Sequence, residues 1–573
     1  MAASPKNIAG QASSATPAKP LINPWIIAAV VSIAAFMEVL DTSIANVALP
    51  YMAGGLSSSL TDASWVLTSY LVANAVVLPI SGWLSIRFGR KRYYMASVVL
   101  FTVSSFLCGM ASSLGMLVLF RVMQGAAGGG LQPVSQSILK DTFPPKQFGT
   151  AFAVYGMVVV LAPSMGPVIG GWITDTYSWR WIFYMNVPMG ILSLLLVSRL
   201  VEDPAYLTEQ IKKVRGHLRL DYIGIGMLAL SLGALQVVLD KGQEDNWFHS
   251  HLIATLAVIF PVALVLFVIW ELTRPKPVLD LRLFKNRNFA GAAAMMFVLG
   301  IQVYAVTVFV PQFVQTFLGY DAGLAGWTQM PQGLVLLVMF PVAGKLVGRI
   351  SARWLIGLGF LLCALASYRM TSIDLQIDFR TAAMYKVWQA FGLALLFVPI
   401  NTVSYVGLPE EKGGEVSGII NLLRNLGGSI GISLVETVIA RRSQFHQDEL
   451  VSHVTRARQS YRNATDNLSA QLSNGGLSQP QAARQTTLRI YNSVITQATV
   501  QSYLDVAWLL AVVALVMVPL RCCLRRTIRK RHRRARNDRE RAPRPKGSDL
   551  RISFDRADGE ADDFRHGCLR AEL

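Results

Sequence analysis

An all-α polytopic membrane protein with fourteen transmembrane helices is the fold class this sequence predicts, on three observations. Of 573 residues, 53% are hydrophobic and only 15% charged, where ordinary soluble domains carry about 25% charged residues. Apolar runs of roughly twenty residues recur from Trp25 to Leu520, and each is long enough to cross a hydrocarbon core about 30 Å thick. Lys and Arg crowd one set of connections and are sparse in the other. A cytosolic enzyme, a secreted disulfide scaffold and a disordered chain are thereby excluded.

Residues 1–24 form a polar lead of Ala, Ser, Pro and Lys with no capacity to build a core. Predicted spans follow at 25–49, 64–84, 93–111, 116–138, 149–172, 181–200 and 221–239. The remaining seven are 250–271, 289–313, 323–347, 353–369, 381–405, 414–440 and 502–523. The first is no signal peptide, because its apolar stretch is too long and carries Glu38 and Asp41 midway. One set of short connections holds 20 basic residues, among them Arg87, Arg90, Lys91, Lys212, Lys213, Arg215, Arg219 and Lys276. The opposite set holds only Arg180, Lys241, Arg369 and Arg380. Basic connections stay on the cytoplasmic side, so both termini are predicted there. The tail after Leu520 carries 17 basic and 9 acidic residues. Beside a membrane end it reads as an anchor to anionic lipid rather than a nucleic-acid grip. The 441–501 segment is too polar to span, faces outside by topology, and is expected to be a long, partner-contacting loop.

An internal repeat is visible in the spans. Gly82-Trp-Leu recurs as Gly344-Lys-Leu, and Arg121-Val-Met-Gln-Gly as Lys386-Val-Trp-Gln-Ala, at offsets of 262 and 265 residues. Two homologous six-helix bundles, 25–200 and 276–523, with two helices inserted at 201–275, would produce this. The lead 1–24 and the tail 524–573 are then cytoplasmic. Parallel repeats of this kind build transporters whose site lies between the halves near the midplane.

Chemistry inside the bilayer has few candidates. Cys108 and Cys363 lie in apolar spans, Cys522, Cys523 and Cys568 at or beyond the last span, and no pair has metal-ligand spacing. His217, His249, His251, His446, His453, His532 and His566 fall in connections, span margins or the tail. No metal, haem, cofactor or Ser–His pair is expected, and no phosphate-binding loop motif is present to suggest ATP as the drive.

Asp41 in LDTSIANVALP (40–50) sits at mid-membrane with Glu38 one turn earlier. An ionisable group there is costly and marks a proton pathway or a structural ion pair. In RVMQGAAGGG (121–130), Arg121 and Gln124 share a face, while the glycines let another helix approach. Arg121 cannot lose its proton and requires an acid or several carbonyls nearby. It either responds to an acid on the first helix or clips helices together. APSMGPVIGG (162–171) places Pro163 and Pro167 beside a Gly166/Gly170 face, with Gly171 next to it, as a close-packed seal between halves. Asn421, Arg424 and Asn425 sit on a matching small-residue face of the thirteenth span. Phe36, Tyr304, Trp388, Gln389 and Phe391 are cavity or gating candidates. In GWLSIRFGRKR (82–92), Gly82 and Gly89 are expected to allow a sharp turn that Arg87, Arg90 and Lys91 hold inside.

These stretches, with WRWIFYMNVP (179–188), VLDLRLFKNRNF (278–289) and RNLGGSIG (424–431), resemble the fourteen-helix drug:proton antiporters of the major facilitator superfamily. The resemblance is to the EmrB/QacA group, nearest its EmrB-like members, and spans residues 25–523. It implies that Asp41 is the first-helix acid, Arg121 the fourth-helix arginine, and Gly166, Pro167, Gly170 and Gly171 the antiporter motif. It also implies proton-driven export of lipophilic, drug-like compounds from an inner membrane. An EmrA-like periplasmic adaptor and an outer-membrane channel would be the partners. Where the superfamily's motif after the second helix has an acid, this chain has Ile86, so that acid's gating role does not transfer. Export of a defined metabolite, siderophore or lipid precursor is the alternative on the same fold. A membrane-embedded lipid enzyme is the rival from another class.

Overall fold

The computed structural model describes residues 23–521 except 145, 205–220, 275–276, 410–411 and 456. Most of the polar lead, the cations Lys212, Lys213, Arg215, Arg219 and Lys276, the residues His217, His532, His566, Cys522, Cys523 and Cys568, and the basic tail therefore lie outside the described residues. Within them, all regular elements are helices.

Among the described residues, fourteen helices are long and apolar enough to cross a membrane. They are α1 Pro24–Gly55, α2 Leu60–Phe88, α3 Arg90–Met110, α4 Leu114–Thr142, α5 Phe148–Thr176, α6 Trp181–Leu200 and α7 Tyr222–Lys241. The others are α8 His251–Thr273, α9 Arg287–Leu318, α10 Gly323–Val347, α11 Ala352–Ser372, α12 Phe379–Ser404, α13 Gly413–His453 and α14 Gln479–Leu520. Local chemistry sets many starts. Asn23 caps α1 through the Trp25 amide at 3.0 Å, Asp378 caps α12 through Thr381 at 2.9 Å, and Asn286 caps α9 through Asn288 at 2.9 Å. Asp280 starts the short helix Leu281–Lys285 in the same way and pairs with Lys412.

The expected loop at 441–501 is corrected. Residues 441–453 prolong α13, Gln459–Asn474 form a separate helix, and 479–501 prolong α14, which starts on a Ser478/Gln481 capping box. Low hydropathy excludes a stretch from lipid but not from a helix, and this stretch is rich in good helix formers. Arg442 pairs with Asp505 at 2.6 Å and Ser443 meets Thr499 at 3.0 Å, tying the two extensions together.

Two features of the basic loop are corrected as well. Gly89 does make the turn, with φ 91°, but Gly82 is helical. A Cβ on Gly82 would lie 2.6 Å from the Gly414 carbonyl, so its role is close approach of α2 to α13. Arg90 lies in a helix and not in the loop. It opens α3, is buried, and pairs with Asp141 at the end of α4. Lys91 donates to the Ser198 carbonyl at 2.6 Å.

Small residues decide which helices touch. Gly166 and Gly170 of α5 press on Ser43 and Ile44 of α1, and Gly427 and Gly431 of α13 press on Phe297 and Ile301 of α9. Both pairs of glycines are separated by the same 261 residues, so the repeat is one of packing. Between the first and last six helices, Gly149 meets Gly344 near the end carrying most basic residues, and Pro167 meets Gly326 near the opposite end. At the basic end Phe152 stacks on Tyr405, with centroids 5.6 Å apart. Inserted helix α7 touches both groups, since Asp240 accepts from Thr68 of α2 and Gln236 accepts from Ser429 of α13 at 3.1 Å.

Candidate functional site

Asp41 and Glu38 lie three residues apart on α1, and both are buried, yet they address different neighbours. Asp41 Oδ2 meets Arg121 Nη1 at 2.6 Å. Its Oδ1 accepts from Gln124 Nε2 at 2.9 Å and from Asn186 Nδ2 at 2.7 Å. Arg121 is wholly enclosed, at 0% exposure. Its Nε donates to the Val66 carbonyl at 3.1 Å, its Nη1 also reaches Gln124 Oε1 at 2.8 Å, and its guanidinium lies 4.2 Å from the Tyr70 ring centre. One turn beyond, a Cβ on Gly125 would collide with the Tyr70 carbonyl. Glycine there allows α2 close enough to supply the ring.

Glu38 Oε1 accepts from Asn74 Nδ2 of α2 at 3.2 Å, and Oε2 from Gln132 Nε2 of α4 at 2.5 Å. Gln132 Oε1 in turn accepts from Arg424 Nη2 of α13. Further along the α4–α13 seam, Asn421 donates to Gln136 at 2.9 Å and Ser137 meets Ser417 at 2.8 Å. Asp41 is therefore held within the first six helices, while Glu38 is connected across to the last six.

The remaining candidates divide. Gln389 donates to the Gln302 carbonyl at 2.8 Å within the last six helices. Tyr304 packs against Gly428, and Asn425 accepts from Arg424 at 3.4 Å. Trp388 is 51% exposed and reaches Phe391 with centroids 6.4 Å apart, so it is not part of the buried networks. Pro163 offers its carbonyl to Ser43 at 3.2 Å. The antiporter motif has two faces, which corrects its reading as a seal between halves. Gly166 and Gly170 pack on α1 within the first six helices, whereas Ser164, Pro167 and Gly171 face α10. Lys386, the repeat's answer to Arg121, donates to the Val306 carbonyl at 2.8 Å. Val306 stands 265 residues after Asp41, so the cation recurs where the acid does not.

Asn74, Gln132 and Asn186 were not singled out by the sequence reading. The signal available for them is an amide inside an otherwise apolar span, where an unpaired polar group is costly.

A helical membrane protein with two buried acids on its first helix, one paired with Arg121 and the other joined to Arg424 through Gln132, is built as a transporter. The chain belongs to the major facilitator superfamily, whose family model matches residues 31–432. Within it, the chain groups with the EmrB multidrug export proteins. It is 36% identical over 490 residues to Multidrug export protein EmrB of Escherichia coli (strain K12), covering 85% of this chain and 93% of the relative. It is 37% identical over 481 residues to that of Haemophilus influenzae, covering 84% and 91%. Fatty acid resistance protein FarB of Neisseria gonorrhoeae is 38% identical over 470 residues, covering 81% and 89%. Among solved structures, the proton:xylose symporter XylE is similar with a TM-score of 0.53 at 15% identity, over 83% of this chain and 94% of that one. That likeness concerns the fold alone.

Proposed function

We propose that this protein is a proton-coupled multidrug exporter of hydrophobic and amphipathic toxic compounds. The observation that carries the reading is the enclosed Asp41–Arg121 pair, with Gln124 and Asn186 on the carboxylate's second oxygen. A proton arriving at Asp41 competes with Arg121 for the same oxygen. Arg121 keeps the Val66 carbonyl and the Tyr70 ring when it yields, so the exchange does not strand a bare cation. One proton moving down about 100 mV supplies about 2.3 kcal/mol, enough to bias an alternating-access cycle. Glu38, Arg424 and the amides around them complete the coupling machinery. The protein works as a carrier and not as an enzyme.

The bundles are 25–200 and 276–523, flanking the helices inserted in 201–275, with the basic end and both termini cytoplasmic at an inner membrane. The helical extensions of α13 and α14 then project into the periplasm. They expose Phe445, Val451, Leu488 and Tyr491, a surface suited to an EmrA-like adaptor leading to an outer-membrane channel. The likeness to FarB, named for fatty acid resistance, favours amphiphilic acids as part of the substrate range. The test is efflux of a lipophilic dye from proteoliposomes under an imposed pH gradient. Absence of gradient-driven efflux in the unaltered protein overturns the reading, and efflux that persists in Asp41→Asn moves the coupling to another acid.

A further inference from the structure

We propose that Gln132 and Arg424 form, with Glu38, a charge-operated latch between the first and last six helices. It holds the basic end shut while Glu38 is ionised and frees it when Glu38 takes a proton. The direction of the cycle rests on the proton-coupled reading above; the latch itself rests on the geometry.

The Gln132 amide lies between an acid and a cation with the matching polarity. Its NH2 faces Glu38 and its carbonyl oxygen faces Arg424. All three side chains are at most 5% exposed. Both bonds are charge-assisted while Glu38 is an anion. Arg424 always carries its charge. Its Nε has no acceptor, and its other side-chain contact is the longer one to Asn425 at 3.4 Å. The charged and titratable groups acting on Glu38 from the surrounding helices are Asp41 on α1, Tyr70 on α2, Tyr155 on α5, Tyr304 on α9 and Arg424 on α13. Arg121 is engaged by Asp41, which leaves Arg424 as the fixed charge answering Glu38. A neutral Glu38 leaves that guanidinium buried without a counter-charge, a costly state that separation of the helices and entry of water relieve.

The position of the latch gives it leverage. The seam continues through Gln136–Asn421 and Ser137–Ser417 to Gly418 against the Pro79 carbonyl and Gly82 against Gly414, all towards the basic end. The contacts just named are neutral and close-packed, and a charge-dependent joint stands at the head of that row. The sign suits an antiporter. A proton entering from the opposite side unlocks the basic end, and its departure lets that end close behind the cargo.

The test is a distance measurement by paired spin labels on the full chain in lipid nanodiscs. Labels go at Phe88→Cys and Ile350→Cys, both exposed near the basic end, with Cys522, Cys523 and Cys568 replaced by Ser. Distances are compared at about pH 5.5 and about pH 8.5. The unaltered relay is expected to show a shift to longer distances at the lower pH. Gln132→Met and Arg424→Gln are expected to lose that shift, and Glu38→Gln to show one distribution at both pH values. Asp41→Asn, which leaves the relay intact, keeps the shift. Gln132→Asn, too short to bridge, should repeat the loss and serves if the methionine variant does not fold. A shift of native size in Gln132→Met or Gln132→Asn overturns the latch. Absence of any shift in the unaltered relay, in protein that exports dye, overturns it equally. A native shift that is lost in the Gln132 variants, in protein without gradient-driven export, supports the latch and sinks only the exporter reading.

Discussion

Asp41 and Lys386 are instructive together, because the repeat places one ionisable pair and one lone cation at equivalent depth. Asp41 has Arg121, Gln124 and Asn186, whereas Lys386 has one carbonyl. Asparagine matches aspartate in shape but cannot titrate, so Asp41→Asn is expected to abolish gradient-driven efflux while neutral substrates still bind. Asp41→Glu keeps a titrating group on a longer stem and should retain partial activity. Drug-induced proton release from purified protein is the measurement, and native release in Asp41→Asn would move the coupling elsewhere. Lys386→Met should leave that release unchanged and raise the thermal midpoint, because a buried ammonium with one acceptor is replaced by a side chain that needs none. A lower midpoint would mean that the ammonium has a structural partner.

At the level of the helices, glycine spacing carries the packing. A Cβ on Gly427 would overlap the Phe297 carbonyl, whereas one on Gly226 meets nothing within 4 Å. Gly427→Ala is expected to cost about 1–3 kcal/mol through overpacking and to lower the midpoint. Gly226→Ala should be neutral or slightly stabilising. Equal midpoints for the two would show that α9 and α13 yield easily. The extensions of α13 and α14 allow a second test. Deleting 448–495 with a short linker retains the Arg442–Asp505 and Ser443–Thr499 contacts. Whole-cell efflux should be lost and transport in proteoliposomes kept. Loss in both settings would make the extensions part of the transport core.

Across the whole molecule, contacts between the first and last six helices differ in kind along their length. The α5–α10 contact is made of small residues at both ends, Gly149 with Gly344 and Gly326 with Pro167. The α4–α13 seam adds polar pairs and one charged relay. Only the second can respond to protons. Replacing Gly344 by Leu should therefore impair folding or export at every pH alike, through the Gly149 carbonyl 2.9 Å from the added Cβ. Replacing Arg424 by Gln should flatten the pH dependence of export. Parallel pH profiles of dye efflux for the two variants would contradict this division.

The sequence by itself determined the fourteen crossings and the uneven distribution of basic residues between connections, and it placed an acid in the first span and an arginine in the fourth. Each depends on short-range facts: the apolar length needed to cross lipid, the cost of a charge at its centre, and the exclusion of buried cations without partners. It also showed Arg424 and Asn421 as buried polar residues on a small-residue face. What it left undecided depends on side chains far apart in the chain. Gln132 reads as one amide among many until α1 brings Glu38 to one side of it and α13 brings Arg424 to the other, 292 residues away. The two faces of the Gly166–Gly171 stretch look alike in the sequence and part only when α1 takes one and α10 the other. The 441–501 segment was legible as polar but not as helical, since hydropathy records what lipid rejects and not how the backbone satisfies its hydrogen bonds in water. Tertiary structure decided these points because a buried polar group is defined by the partners that arrive, and one chain position does not specify them.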